Sequence, residues 1–165
     1  MQSIGFKEWA LVCDALGEGR QSVIIRKGGL AEGRAGFAFR HREFYLFPTF
    51  FHEQLHRVRL PEAILPEPRP NEIEICYFAC IEETRVLTDW PEVQSLAPLH
   101  ILKEEVVRER FDYDEAPGVH VAFVKVFRLE PAWHFPNAKS YAGCRSWVQL
   151  PVPPGALKLQ PVSLP

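Results

Sequence analysis

Long apolar runs are absent from this sequence, and a leader-like N-terminus is absent as well. A membrane-spanning helix needs about 20 consecutive apolar residues, and no stretch of the 165-residue chain approaches that length. The opening segment, from Met1 to Glu8, has neither the basic region nor the apolar core of a signal peptide. These absences predict a cytoplasmic protein that has no membrane partner.

Several motifs that announce a reaction are also missing. The sequence has no Gly-x-Gly-x-x-Gly fingerprint, no phosphate-binding P-loop and no Gly-x-Ser-x-Gly nucleophile motif. It contains four cysteines, each among apolar neighbours, and we expect them to be small buried side chains in a reducing compartment. The common dinucleotide-binding, P-loop and serine-hydrolase classes are therefore not indicated.

What the chain does have is ample apolar and aromatic surface to bury. Hydrophobic residues make up 47% and charged residues 24% of the sequence, which includes twelve Phe and four Trp. This composition predicts one globular domain over residues 1–150. Residues 151–165 contain five prolines, so we predict that they form an extended C-terminal tail on the surface.

Hydrophobic periodicity predicts an α+β fold, a small strand-rich β-barrel with two or three short peripheral helices. An opening amphipathic helix is expected from the spacing of Phe6, Trp9, Val12 and Leu16. Further helices are expected over residues 50–58, 91–96 and 102–110. Strands are expected over residues 22–25, 37–39, 44–47, 73–87, 119–129 and 147–150.

Charge is distributed unevenly, and the region from Arg20 to Arg42 carries six basic residues against a single acid. Within it, Arg26 and Lys27 end a predicted strand and are followed by Gly28 and Gly29. Two glycines let backbone N–H groups approach an anion, and the two cations lie beside them. The segment therefore predicts a phosphate-binding site.

Aromatic residues follow this basic segment. An exposed ring from Phe44, Tyr45 or Phe47 would stack on a base, as rings do in proteins that bind single-stranded nucleic acid. The leading hypothesis is a nucleic-acid or nucleotide-binding domain. Its partner would be RNA, another single-stranded nucleic acid or a modified nucleotide. No cofactor is favoured under this hypothesis.

The string His52-Glu53-Gln54-Leu55-His56 supports an alternative. On an α-helix, His52 and His56 would share one face and ligate a metal, while Glu53 acted as a general base. Glu32 and Glu43 are further acidic candidates. The chain would then be a metal-dependent hydrolase or nuclease that uses Zn or Mg.

A third alternative is a protein-interaction domain. Residues 72–115 contain twelve acidic residues against four basic ones, and this half of the chain would dock another protein.

Two resemblances add to these inferences. The segments Lys7–Ala10, Arg26–Gly29, Phe47–Thr49 with His52, and Gly143–Val148 resemble domain-of-unknown-function family 1802, a bacterial family. This resemblance covers most of the chain and supplies no activity.

The second resemblance concerns residues 19–26. Their sequence, Gly-Arg-Gln-Ser-Val-Ile-Ile-Arg, is similar to the Gly-x-Lys-x-x-Glu-x-Arg signature of ASCH domains. That resemblance implies a PUA-like barrel that binds RNA or modified nucleotides, with His41, Thr49 and His52 lining the pocket. Gln21 stands in the signature's Lys position and Ile24 in its Glu position. The binding role therefore depends on Arg26, and the hydrolysis of a modified base that a few such domains perform is not implied.

Overall fold

The computed structural model describes residues 3–27 and 37–165. Seven strands form one sheet, and three α-helices and short 3-10 turns connect them. The elements are β1 (Ile4–Trp9), α1 (Ala10–Gly17), β2 (Val23–Arg26), β3 (Glu43–Thr49), a 3-10 turn (His52–His56), β4 (Glu72–Leu87), α2 (Trp90–Gln94), α3 (Glu104–Phe111), β5 (Val119–Pro136), β6 (Trp147–Gln149) and β7 (Lys158–Pro161).

The strand order across the sheet is β2-β5-β4-β3-β1-β6. β1 and β3 are parallel, and the other pairs are antiparallel. The long strand β5 pairs with β4 along one edge, while its other edge holds β2 near its start and β7 further along. The α+β prediction is confirmed, although the sheet stays open through the described residues instead of closing into a barrel.

Two apolar clusters fill the space around the sheet. The larger cluster packs α1, α3 and β2 against one side, with Phe6, Ile24 and Phe44 fully buried in it. The smaller cluster is centred on Tyr45, Trp133 and their neighbours. Successive residues of a strand point to opposite sides of the sheet, so Phe44 and Tyr45 contribute to different clusters.

Three sequence-based predictions differ from the structure. The opening helix begins at Ala10, because the residues before it form β1. Residues 37–39 are not in a strand, although Phe37 is buried. Within the predicted tail, residues 158–161 form β7 and hydrogen-bond to β5, so the tail is part of the sheet. None of the described helices has the length and apolar character needed to cross a bilayer.

Candidate nucleic-acid interface

A buried carboxylate and two guanidinium groups lie near one another where β1, β2 and α3 meet. Glu8 near the end of β1, Arg26 at the end of β2 and Arg110 in α3 are called the Arg26 site. Glu8 is 2% exposed, and its Oε2 lies 3.8 Å from Nη2 of Arg26. The same Nη2 donates to the carbonyl of Lys7. The Arg26 guanidinium also stacks over the Phe6 ring, 4.8 Å from its centroid.

Arg110 brings the second positive charge. It donates from Nη1 to the Ile25 carbonyl at 2.7 Å and lies 4.9 Å from the centre of the Trp9 ring. Burial lowers the pKa of Arg110 to about 10, and the negative charge of Glu8 counteracts part of this effect. Arg110 is still charged at neutral pH, so the three side chains carry a net charge of plus one.

One polar atom of this site is unsatisfied. Nε of Arg26 is buried and has no hydrogen-bond partner among the described residues. Buried N–H donors nearly always find an acceptor, but this one is enclosed by protein, so a ligand would reach it only if the surrounding side chains moved. The net positive charge, together with the exposed part of the Arg26 side chain, favours an anionic group at the Arg26 site.

Half-buried rings border the site on the side of β6. Trp147 packs 4.8 Å from Phe6 and 5.0 Å from the His41 ring, and its indole N–H donates to the Ala38 carbonyl. Phe39 lies 6.1 Å from Phe6. We call Phe39, His41 and Trp147 the aromatic rim. Phe6 contacts both Arg26 and the rim, and because Phe6 is itself fully buried, it links the charged site to the rings through the core.

Lys27, Gly28 and Gly29 were also predicted to contact phosphate. Nζ of Lys27 donates to the Ala116 carbonyl at 2.7 Å and lies 3.2 Å from the Asp114 carboxylate. Lys27 therefore ties β2 to the segment that follows α3, and its contact with phosphate stays a prediction. Gly28 and Gly29 lie outside the described residues.

The rings predicted to stack on a base are mostly part of the core. Phe44 and Tyr45 are 0% exposed, so neither has a face that a base could reach, and the stacking prediction is wrong for both. Phe47 is also buried and borders a cavity beside α1. In the aromatic rim, by contrast, the rings retain exposed surface.

The HEQLH string has a structural role centred on its glutamine. Gln54 is 0% exposed; its side-chain carbonyl accepts from the Leu11 N–H, and its amide donates to the carbonyls of Thr49 and Phe51. The segment is a 3-10 turn, in which residues four apart are about 120° apart around the axis. His52 and His56 are both exposed and do not share a face.

The acidic candidates are not brought together either. Glu43 begins β3, whereas Glu53 follows its end, and six steps of about 3.3 Å place the two ends of this strand about 20 Å apart. Glu43 thus begins the strand at the end remote from the turn that holds Glu53, His52 and His56. The described residues contain no group of three side chains arranged to hold a metal ion, and Glu32 lies outside them.

Thr49 and His41 are placed at opposite ends of β3. Thr49 donates from its hydroxyl to the Glu8 carbonyl, which puts it beside the Arg26 site. His52 lies just beyond, three residues after Thr49 and next to Phe51, whose ring packs on Trp9. Thr49 therefore contacts a residue of the Arg26 site, whereas His41 contacts Trp147, so the two are not brought together in one pocket by the contacts of the described residues.

Gln21 and Ile24, the two residues that depart from the ASCH signature, are both buried. Gln21 is buried, accepts a hydrogen bond from the Ile101 N–H and donates to the Val23 carbonyl. Ile24 is fully buried in the larger apolar cluster. Both positions are filled by groups whose bonding is complete within the chain, so they offer a substrate neither a base nor an acid.

Sequence reasoning missed Glu8, Arg110 and Trp147. A signal was present for the first, since Lys7 and Glu8 are charged residues within an otherwise apolar segment. Lys7 is buried too and donates from Nζ to the Gly143 carbonyl at 3.0 Å. Burial lowers the pKa of Lys7, and Cys144 and Arg145 are close enough to influence it.

The cysteines depart partly from expectation. Cys13 is buried, but Cys144 is exposed, so the prediction of four buried cysteines is wrong for Cys144.

In the acidic half of the chain, residues 72–115, several acids form ion pairs, among them Glu109 with Arg57 and Asp112 with Arg108. A docking role for this half stays a prediction.

The structure of this chain is similar to solved structures of an ASCH protein from Zymomonas mobilis. One of them has a TM-score of 0.51 at 12% identity and covers 90% of this chain and 87% of the other. A Tyr-to-Phe mutant of that protein has a TM-score of 0.52 at 12% identity, with coverages of 92% and 91%. At this identity the likeness shows a shared fold, that of ASCH domains.

The family follows from the sequence itself. The model of the family described as domain of unknown function, DUF1802, matches residues 5–164, and the chain belongs to that family. No curated protein matches the chain. Both resemblances drawn from the sequence are thereby confirmed, and neither of them brings an activity.

Proposed function

We propose that this chain is a nucleic-acid or nucleotide-binding domain of the PUA/ASCH type whose partner is RNA or another single-stranded nucleic acid. The observation that carries the proposal is the Arg26 site, where two guanidinium groups lie near a single carboxylate and leave a net positive charge. A phosphate at the exposed part of the Arg26 guanidinium supplies the missing negative charge.

The aromatic rim supports the same function. Phe39, His41 and Trp147 each keep part of their surface exposed, and a base that stacks on an aromatic ring gains about 1–3 kcal/mol. Arg40 and Arg145 flank the rim in sequence, are exposed, and make no ion pair with any described residue. They are available to contact the phosphates that follow a stacked base.

The test measures fluorescence anisotropy of a labelled 12-nucleotide single-stranded RNA at several salt concentrations. We expect the double variant Arg40→Ala/Arg145→Ala to weaken binding by roughly tenfold and to reduce the salt slope by about 1.4, because each phosphate contact on a single strand contributes about 0.7. Phe39→Leu keeps an apolar side chain and removes the ring, so affinity should fall about fivefold with an unchanged salt slope.

The matched control is Arg128→Ala. Arg128 is equally exposed but lies on β5, where it packs over Tyr77. If Arg128→Ala weakened RNA binding as much as the double variant did, the interface would not be where we place it. Salt-independent binding, or none, would refute the function itself.

A further inference from the structure

A second feature of the described residues is a cavity that none of the three Arg26-site residues lines. β3 pairs with β4 only over Glu43–Tyr45, and beyond that point the two strands separate. The gap has a volume of about 640 Å³ and is closed by α1, by the loop before β4 and by the segment after β5. This volume falls within the range of about 300–1,000 Å³ that is typical of small-molecule sites.

The charges around this cavity are mainly negative. Four carboxylates line it, and the basic residues among the lining are Arg69 and Lys139. Arg69 already forms ion pairs with two of these carboxylates, because its guanidinium lies 3.5 Å from Glu72 and 3.2 Å from Glu74. An excess of carboxylates repels phosphate, so this cavity does not suit the nucleic acid proposed for the Arg26 site.

Asp14 is the cavity acid carried by α1. It projects from α1 and is half-buried, and no described residue forms an ion pair or a side-chain hydrogen bond with its carboxylate. Burial raises the pKa of Asp14, and Glu18 and Glu74 raise it further, while Arg20 lowers it in part. The net effect is that ionisation of this half-buried carboxylate is unfavourable in the free protein, and a cation bound beside it removes that cost.

Aromatic rings form the walls of the cavity. Phe47, Phe50, Tyr77 and Tyr141 all line it. Burial raises the pKa of Tyr77 to about 12, so this tyrosine is uncharged at neutral pH. No described group hydrogen-bonds to the hydroxyls of Tyr77 and Tyr141, which leaves two groups able to donate to or accept from a ligand.

We propose that this cavity binds a small organic cation that carries an amine on an aromatic body. The ammonium pairs with Asp14, and the rings of Phe47, Tyr77 and Tyr141 enclose the apolar part, where the faces of the rings also attract the positive charge. Carboxylate, rings and volume define the class of ligand together. The proposal is independent of nucleic-acid binding at the Arg26 site.

Isothermal titration calorimetry of the full chain tests this proposal with probes that share one ring system. Tryptamine is the cationic probe and indole-3-propionate its anionic counterpart. We expect tryptamine to bind with a stoichiometry of one and indole-3-propionate not to bind. Asp14→Asn should weaken tryptamine binding at least tenfold, with a melting temperature equal to or above that of the native chain, which shows that folding is intact.

The matched control is Asp89→Asn, an exposed acid before α2 that does not line the cavity. It should leave tryptamine binding unchanged. The proposal is overturned if indole-3-propionate binds as well as tryptamine, if Asp14→Asn binds like the native chain, or if no tryptamine binding is detected at 5 mM. Tighter binding of spermidine or of a lysine-rich peptide than of tryptamine would also overturn it, because neither has a ring.

Discussion

Replacing Glu8 with Gln should destabilise the fold by removing the one negative charge of the Arg26 site. Its Oε1 accepts a hydrogen bond from the Trp9 N–H at 2.8 Å, and the glutamine carbonyl can accept the same bond. The substitution therefore removes charge while it preserves shape and this hydrogen bond. What remains is a pair of guanidinium groups, Arg26 and Arg110, with no carboxylate between them.

The size of the stability loss in Glu8→Gln follows from the distance between Glu8 and Arg26 and from their burial. Two unit charges 3.8 Å apart attract each other by about 4 kcal/mol at an effective dielectric constant of 20. Removing one member of a buried pair costs about 3–5 kcal/mol in general. Arg26 retains 18% exposure, so water will solvate part of its charge. We expect Glu8→Gln to lower the free energy of unfolding by about 3 kcal/mol.

Urea unfolding followed by circular dichroism measures this change. With a slope of about 2 kcal/mol per molar urea, the midpoint should fall by about 1.5 M. Glu83→Gln is the control, because Glu83 is an exposed acid whose partner Arg85 lies 2.7 Å away, and exposed pairs contribute little. Sulfate should restore more of the midpoint in Glu8→Gln than in the native chain at equal ionic strength. An unchanged midpoint for Glu8→Gln would refute the account of the site.

Two further predictions concern α1. Gly17→Ala should destabilise the fold by about 1–3 kcal/mol, because a Cβ atom there would lie 2.1 Å from the Tyr77 ring. The control Gly155→Ala adds a Cβ atom that meets nothing within 4 Å, so its urea midpoint should be unchanged. Equal effects of the two substitutions would contradict the packing argument. Asp14 has a raised pKa in the folded chain, so its ionisation opposes folding as pH rises above its ordinary value of 3.8. The gain in melting temperature from Asp14→Asn should therefore grow from pH 3.5 through the raised pKa and then level off; a gain that is largest at pH 3.5 would show the sign to be wrong.

Sequence periodicity predicted the long strands well. The predicted starts of β4 and β5 are within one residue of the observed ones. Both strands are long and rich in β-branched and aromatic residues, and such runs favour a strand over a helix. β5 continues past the predicted end at residue 129 to Pro136. β7 in the tail was not predicted, because the tail is rich in proline and the strand forms by pairing with β5, which is distant in sequence.

β1 could not be recognised from local sequence. Its residues Lys7 and Glu8 are charged yet buried, so they hide the alternation that identifies a strand. Their partners are remote in sequence: Arg26 follows Glu8 by 18 positions, and Gly143 follows Lys7 by 136. A local pattern carries no information about such partners, and the same reason kept Arg110 out of the predicted site.

HEQLH and Arg26 differ in how completely their buried groups are bonded. Both were candidates because of residue type, and burial separates them. In the 3-10 turn, the buried residue is Gln54, which makes three hydrogen bonds, so the segment anchors α1 to β3 and its buried residue is not left unpaired. At the Arg26 site, the buried groups leave one donor and one positive charge unmatched. The unmatched charge at the Arg26 site is therefore the reason for proposing an anionic ligand there.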